Sequence, residues 1–152
     1  LKTAPLFHFL DCSLELKTAT AKLRYRAAET VFEEVFVFPP PPAPPGEERL
    51  AAAERCLRLL HLAAGVSYYK ALFPERLKVE GPPLPQDAAD FFGNFYRKGL
   101  AEFAYRNALS LAGRTSFPAG RQTPSPRSSL ALPRHTLVPC GGGQGSIVTL
   151  ER

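Results

Sequence analysis

Hydrophobic and polar positions alternate most cleanly over residues 20–27, where Ala21, Leu23 and Tyr25 fall on one side and Lys22, Arg24 and Arg26 on the other. A period of two marks a strand with one buried and one wet face. The flanking stretches "FHFLDCSLEL" and "VFEEVFVF" read as strands too, and breaks near residues 17–19 and 27–30 supply two turns. The pattern therefore predicts a three-stranded antiparallel meander over residues 7–38, with the face of the third strand left open. Six prolines between Pro39 and Pro45 end the sheet, because proline cannot donate to a ladder and favours an extended, stiff conformation.

The period then changes. In "GEERLAAAERCLRLLHLAAGVSYYKALFP", acids occupy the first turn and Leu50, Ala53, Leu57, Leu60 and Ala64 recur at helical spacing up to Pro74, which predicts one long helix packed on the sheet. The short "ERLKVEG" is a candidate further strand. "DAADFFGNFYRKGLAEFAYRNALSL" predicts a second helix with Phe92, Phe95, Gly99 and Phe103 in one stripe, and such aromatics belong to a core rather than to a base-stacking platform. Over residues 112–134 Gly, Pro, Ser and Arg take over, the composition of a linker or mobile loop. "HTLVP" then reads as a strand, "CGGGQGS" as a turn and "SIVTLER" as the opening of a helix. The expected organisation is an N-terminal α+β domain over 1–111, a linker over 112–134, and the start of an α/β nucleotide-binding domain over 135–152.

Composition narrows the class. The 152 residues are 45% hydrophobic and 22% charged, a globular balance, and no apolar run approaches the roughly 20 residues of a membrane span. The N-terminal "LKTAPLFHFLDCS" is broken by Pro5, His8 and Asp11 and does not resemble a signal peptide. Cys12, Cys56 and Cys140 are odd in number and widely spaced, which fits a reducing cytoplasm and no metal motif. The chain contains no methionine and closes one turn into a helix, so it reads as a fragment of a longer protein. The net charge of +5 concentrates in residues 97–134, where Arg97, Lys98, Arg106, Arg114, Arg121, Arg127 and Arg134 face only Glu102. Such a segment suits an anionic partner or a solvated basic loop.

The glycine-rich turn carries the chemistry. A strand, a glycine-rich turn and a helix together present free backbone N–H groups and a helix dipole to an anion. Gly141, Gly142, Gly143, Gln144, Gly145 and Ser146 lack the lysine of a Walker A loop, and the third glycine of a dinucleotide fingerprint would fall on Ser146. "GGGQGS" instead resembles the PP-loop of ATP pyrophosphatases. "LRLLHLAAGVSYYKA" and "GLAEFAYRNALSLAGR" are similar to segments of the bacterial UDP-N-acetylmuramoyl-L-alanyl-L-glutamate epimerase family, as is the N-terminal meander, so the resemblance spans essentially the whole chain.

That resemblance implies an ATP- and magnesium-dependent isomerase of peptidoglycan precursor synthesis, a cell-wall and cell-shape function, with an incomplete α/β PP-loop domain behind the α+β domain. The family inverts the glutamate α-carbon of a UDP-linked muramoyl dipeptide through an activated carboxylate, releasing AMP and pyrophosphate. The six residues of the loop would contact the nucleotide. Where the family pattern has lysine and aspartate, this chain has Gln144 and Gly145; the glycine cradle and the Ser146 hydroxyl remain. Tyr69 and Lys70, beside Tyr68, and the i, i+4 pair Glu102 and Arg106 are candidates for the substrate pocket, each with an ordinary helix-end or ion-pair reading beside it. His8 and His61 are isolated in sequence, with His61 placed as a packing residue; His135 and Cys140 lie next to the loop. No residue is assigned as the α-proton base or as a metal ligand. Neither a membrane nor nucleic acid is the favoured partner. A second reading stays open: a non-catalytic binding module, complete near Arg114, whose basic segment meets a polyanion.

Overall fold

A computed structural model describes residues 4–120 together with 130 and 131. Strand β1 (Leu6–Glu15), β2 (Thr20–Ala27) and β3 (Thr30–Val37) form the expected antiparallel meander. The short strand β4 (Arg76–Val79) joins the free side of β1, so the sheet order is β3-β2-β1-β4. This fourth strand runs parallel to β1, with Leu6 opposite Arg76 and Phe9 opposite Val79. The meander is thus three strands of a four-stranded mixed sheet. Parallel neighbours need a crossover, and the helices between β3 and β4 supply it.

The register explains an irregularity of β1. Phe9 pairs with Tyr25 but Asp11 pairs with Arg24, so Leu10 is the extra residue of a bulge. The bulge switches the inward parity from Phe7 and Phe9 to Cys12 and Leu14, all of which sit opposite the inward Ala27, Tyr25, Leu23 and Ala21 of β2. On β3 the pairing settles the open face: Phe32, Glu34 and Phe36 point inward, half-buried, while Val31, Glu33, Val35 and Val37 face solvent. Both hairpin turns carry an alanine at positive φ, Ala19 at 48° and Ala28 at 51°.

Each expected helix is broken in two. The first becomes α1 (Glu47–Ala64) and α2 (Val66–Leu72), divided at Gly65. A Cβ at Gly65 would lie 2.6 Å from Phe9 Cε1, 2.8 Å from the Tyr96 hydroxyl and 3.0 Å from Tyr25 Cε1, so the chain approaches the aromatic core at a distance only glycine permits. Helix α2 stops at Phe73, in the left-handed region at φ 38°, immediately before Pro74. The second splits into α3 (Gln86–Gly99) and α4 (Ala101–Arg106) at the buried Leu100. The buried stripe of α3 is Ala89, Phe92 and Tyr96, continued by Leu100. Phe95 does not belong to it: Phe95 is 41% and Phe91 62% exposed, against 3% for Phe92.

The core lies between the inner face of the sheet and the helices. Phe7, Phe9, Tyr25, Tyr69 and Tyr96 meet there at edge-on or stacked angles with centroids 5.1 to 6.5 Å apart, the geometries that aromatic quadrupoles prefer. Three tyrosine hydroxyls inside this cluster donate to backbone carbonyls: Tyr25 to His61 at 3.0 Å, Tyr96 to Leu62 at 2.8 Å and Tyr69 to Pro74 at 3.0 Å. Two of these acceptors, His61 and Leu62, lie in the last turn of α1 beside the break at Gly65; the His61 carbonyl also accepts the Gly65 backbone N–H at 3.3 Å.

Residues 112–120, whose composition reads as linker, are packed. Phe117 contacts the rings of Phe9, Phe92 and Tyr96, Thr115 is buried, and Ala119 bridges to Leu84. Arg114 holds the start of this stretch. Its guanidinium donates to the Phe73 carbonyl at 3.2 Å and lies 5.2 Å from the centre of the Phe73 ring, while its own carbonyl accepts from the Tyr69 hydroxyl at 3.2 Å.

Candidate functional site: a cationic groove between α2 and α4

Two of the sequence candidates come together across the helix breaks. Lys70 on α2 and Arg106 on α4 line one groove of about 300 Å³, together with Val66, Ser67, Gly99, Leu100, Glu102 and Phe103. The break at Leu100 turns α4 so that its charged face meets α2, and Gly99 leaves open space beside it, with nothing within 4 Å of the position a Cβ would take. Arg106 Nε and Glu102 Oε1 are 2.8 Å apart on consecutive turns. Lys70 has no ion-pair partner among the described residues. The groove thus offers two cations against one acid, plus the Ser67 hydroxyl, a donor set suited to a phosphate or carboxylate.

Ser67 was not singled out from the sequence, although its place three residues before Lys70 puts it on the same helix face. Tyr69, a sequence candidate, is elsewhere. It is fully buried in the core, where desolvation pushes its phenol up to about 12 despite the nearby Arg114. Tyr68 also turns away from the groove and stacks on Tyr25 at 5.1 Å, beside Phe32. The nucleotide-loop candidates Gly141, Gly142, Gly143, Gln144, Gly145 and Ser146, with His135 and Cys140, lie outside the described residues.

A second set of polar residues surrounds a cavity of about 230 Å³ at the β1 bulge: Asp11, Cys12, Arg58, His61 and Glu80. Its chemistry is quiet. Burial lowers the pKa of His61, whose Nε2–H donates to the Arg24 carbonyl at 2.9 Å, and burial raises the Cys12 thiol. A neutral, donor-committed imidazole beside a protonated thiol fills the role of a packing residue rather than of a nucleophilic pair. His8 is not isolated in the fold: its Nε2–H donates to Glu80 Oε1 at 2.7 Å, and Glu80 also pairs with Lys78 at 2.6 Å, contacts that hold its carboxyl below the usual range. Among the described residues no three His, Cys, Asp or Glu side chains come together as a metal site.

The basic segment does not make one patch among the described residues. Arg97 donates to Asn94, Arg106 pairs with Glu102, and Arg114 turns inward to Phe73. No described helix is long and apolar enough to cross a membrane.

The structure therefore defines a small α+β module that presents a cationic groove at the junction of two broken helices. The chain matches the family described as the MurL N-terminal domain over residues 1–152, and it belongs to that family. It is 37% identical over 148 residues to the UDP-N-acetyl-alpha-D-muramoyl-L-alanyl-L-glutamate epimerase of Xanthomonas oryzae pv. oryzae, a match covering 95% of this chain and 32% of that protein. Proteins of the same name from Salinispora tropica and a Micromonospora species are 42% and 40% identical, each over 99% of this chain and over 34% and 35% of their own length. The chain spans about a third of the length of these curated relatives. No solved structure matches it significantly.

Proposed function

We propose that this chain is the N-terminal portion of a cytoplasmic, ATP-dependent epimerase that converts UDP-N-acetylmuramoyl-L-alanyl-L-glutamate to its D-glutamate form in peptidoglycan precursor synthesis. The observation that carries this reading is the convergence of Lys70 and Arg106 in one groove of a domain whose family relatives bear that epimerase name. The substrate brings a diphosphate and carboxylates. A groove with two cations, a hydroxyl and a single acid would hold one of these anionic groups by charge-assisted hydrogen bonds.

Residues 135–152 would open the nucleotide-binding domain, with the backbone N–H groups of Gly141, Gly142 and Gly143 and the Ser146 hydroxyl directed at phosphate. Gln144 and Gly145 would leave this loop without the phosphate-binding lysine charge and the carboxylate of the family pattern, so the cradle would rest on backbone N–H groups and the Ser146 hydroxyl. ATP, when bound, supplies the activation that neutralises a carboxylate and makes the neighbouring α-proton acidic. Among the described residues no three His, Cys, Asp or Glu side chains come together to hold magnesium.

The test is calorimetry of the UDP-linked dipeptide with this chain and with Lys70→Ala and Arg106→Ala. Each variant is expected to weaken binding by about tenfold, the value of one lost charge-assisted contact, with an unchanged melting temperature. Equal affinity in all three proteins overturns the substrate role of the groove. Magnesium-dependent ATP binding, compared between the natural loop and one carrying Gln144→Lys with Gly145→Asp, tests the nucleotide site separately. The 152-residue chain alone is expected to yield no D-glutamyl product.

A further inference from the structure

Two apolar grooves meet at Leu60. One, of about 660 Å³, lies between the proline strap and α1, floored by Ala53, Leu57 and Leu60. The other, of about 690 Å³, lies between α1 and α3, where Leu59, Leu60 and Ala63 face Phe91 and Phe95. Around this ridge Phe38, Leu59, Phe91 and Phe95 are all exposed, and the rings of Phe91 and Phe95 stack at 6.4 Å and 16°. Among the described residues, the only charged ones lining the grooves are Arg49 in the first and Asp87 in the second. A site for a small metabolite has a few converging polar groups. This surface has none, and a continuous apolar strip of such length is the core of a protein–protein interface.

We propose that the Leu60 ridge is the surface on which the rest of a full-length family member packs. The occupant follows from proportion. About two thirds of each relative lies outside the matched part, and the matched part is described as an N-terminal domain. A larger body on the same chain is held in one position only by a large apolar contact, and among the described residues nothing covers the ridge. The complementary face must itself be apolar and nearly free of charge, since unpaired charge there would be desolvated without compensation. The cationic groove shares no residue with the ridge. The inference rests on family membership and is independent of the nucleotide chemistry.

Cys56 is exposed and lines the first groove, so it reports on coverage. The experiment joins this full chain to the unmatched part of the Salinispora tropica relative and follows alkylation of Cys56 by peptide mass spectrometry, in the fusion and in the chain alone. The expected result is alkylation at least about tenfold slower in the fusion, as for any thiol that reacts only through local opening. Phe91→Ser with Phe95→Ser, both exposed positions, is expected to restore the rate of the chain alone. Equal rates in the two proteins overturn the proposal. So does a Cys56 already shielded in the chain alone, whether by a second copy, seen as a doubled mass in solution, or by residues 121–152, seen when their removal frees the thiol. A fusion whose added part does not associate with the ridge also counts against it. A fusion that shields Cys56 but lacks epimerase activity upholds the docking surface and weighs only against the catalytic reading.

Discussion

The Tyr96 hydroxyl reaches the Leu62 carbonyl at 2.8 Å across the space that Gly65 leaves empty. Helix α3 is thereby tied to the end of α1 at the point where the first helical run is divided. Gly65→Ala places a methyl group within 3.0 Å of two rings and this hydroxyl. Urea unfolding is expected to show a loss of about 1–3 kcal/mol, the usual cost of overpacking. Gly46→Ala, with nothing within 4 Å, serves as the neutral comparison.

The β2–β3 hairpin has only Ala28 and Glu29 between the paired Ala27 and Thr30, and Ala28 sits at φ 51°. Tight hairpins place glycine or asparagine at such positions. Ala28→Gly removes the Cβ strain while giving back some unfolded-state entropy, so a net gain of about 0.5–1 kcal/mol is expected. A lower melting temperature for the variant would contradict the assigned turn.

Arg114 joins Phe73 through a hydrogen bond and ring contact, with Glu75 only 3.9 Å from Nη2. The carbonyl contact needs the planar guanidinium, so Arg114→Lys is expected to lose about 1–2 kcal/mol. Glu75→Ala, at the exposed end of the pair, should change stability by less than about 0.5 kcal/mol. The reverse ranking would show that the ion pair, not the carbonyl contact, holds the segment.

His61 is kept neutral by burial, which outweighs the proton-favouring Arg24 carbonyl and Asp11. Its proton is taken up mainly on unfolding. The unfolded chain therefore binds more protons below about pH 6.5, and stability present at pH 7 falls toward pH 5 with a slope of up to about 1.4 kcal/mol per pH unit. In His61→Gln, which retains a donor for Arg24, the slope across that window should flatten. An unchanged slope would assign the acid sensitivity to other groups.

How much of this could be read beforehand depended on where the deciding contacts lie. The alternation in β2 is local, and so was legible. The parity change from Phe7 and Phe9 to Cys12 and Leu14 is visible in β1, but it becomes a bulge only once β2 supplies the register. Arg97, Lys98 and Gly99 are a local stop signal before Leu100 that the longer apolar period hides, and Gly65 looks like a tolerated helix glycine until Phe9, Tyr25 and Tyr96 crowd it. The run 112–120 resembles a linker because its few apolar residues are spaced by small and polar ones, yet Phe117 sets it among three rings and Arg114 and Ala119 fasten its two ends. In the groove, Lys70 and Arg106 were candidates on separate helices. Their meeting is a product of two helix breaks, and the same breaks send Tyr69 inward.

The pairing of β1 has a consequence for how the molecule comes into being. Its first neighbour, β2, follows directly in sequence, but its second, β4, arrives only after the proline strap and both halves of the first helical run, and Phe117 arrives later still. Until those segments arrive, a chain emerging from the ribosome has nothing to cover Phe7, Phe9 and Tyr25 and nothing to pair with the second edge of β1. Late, long-range closure of this kind slows folding and leaves apolar surface exposed in the interval.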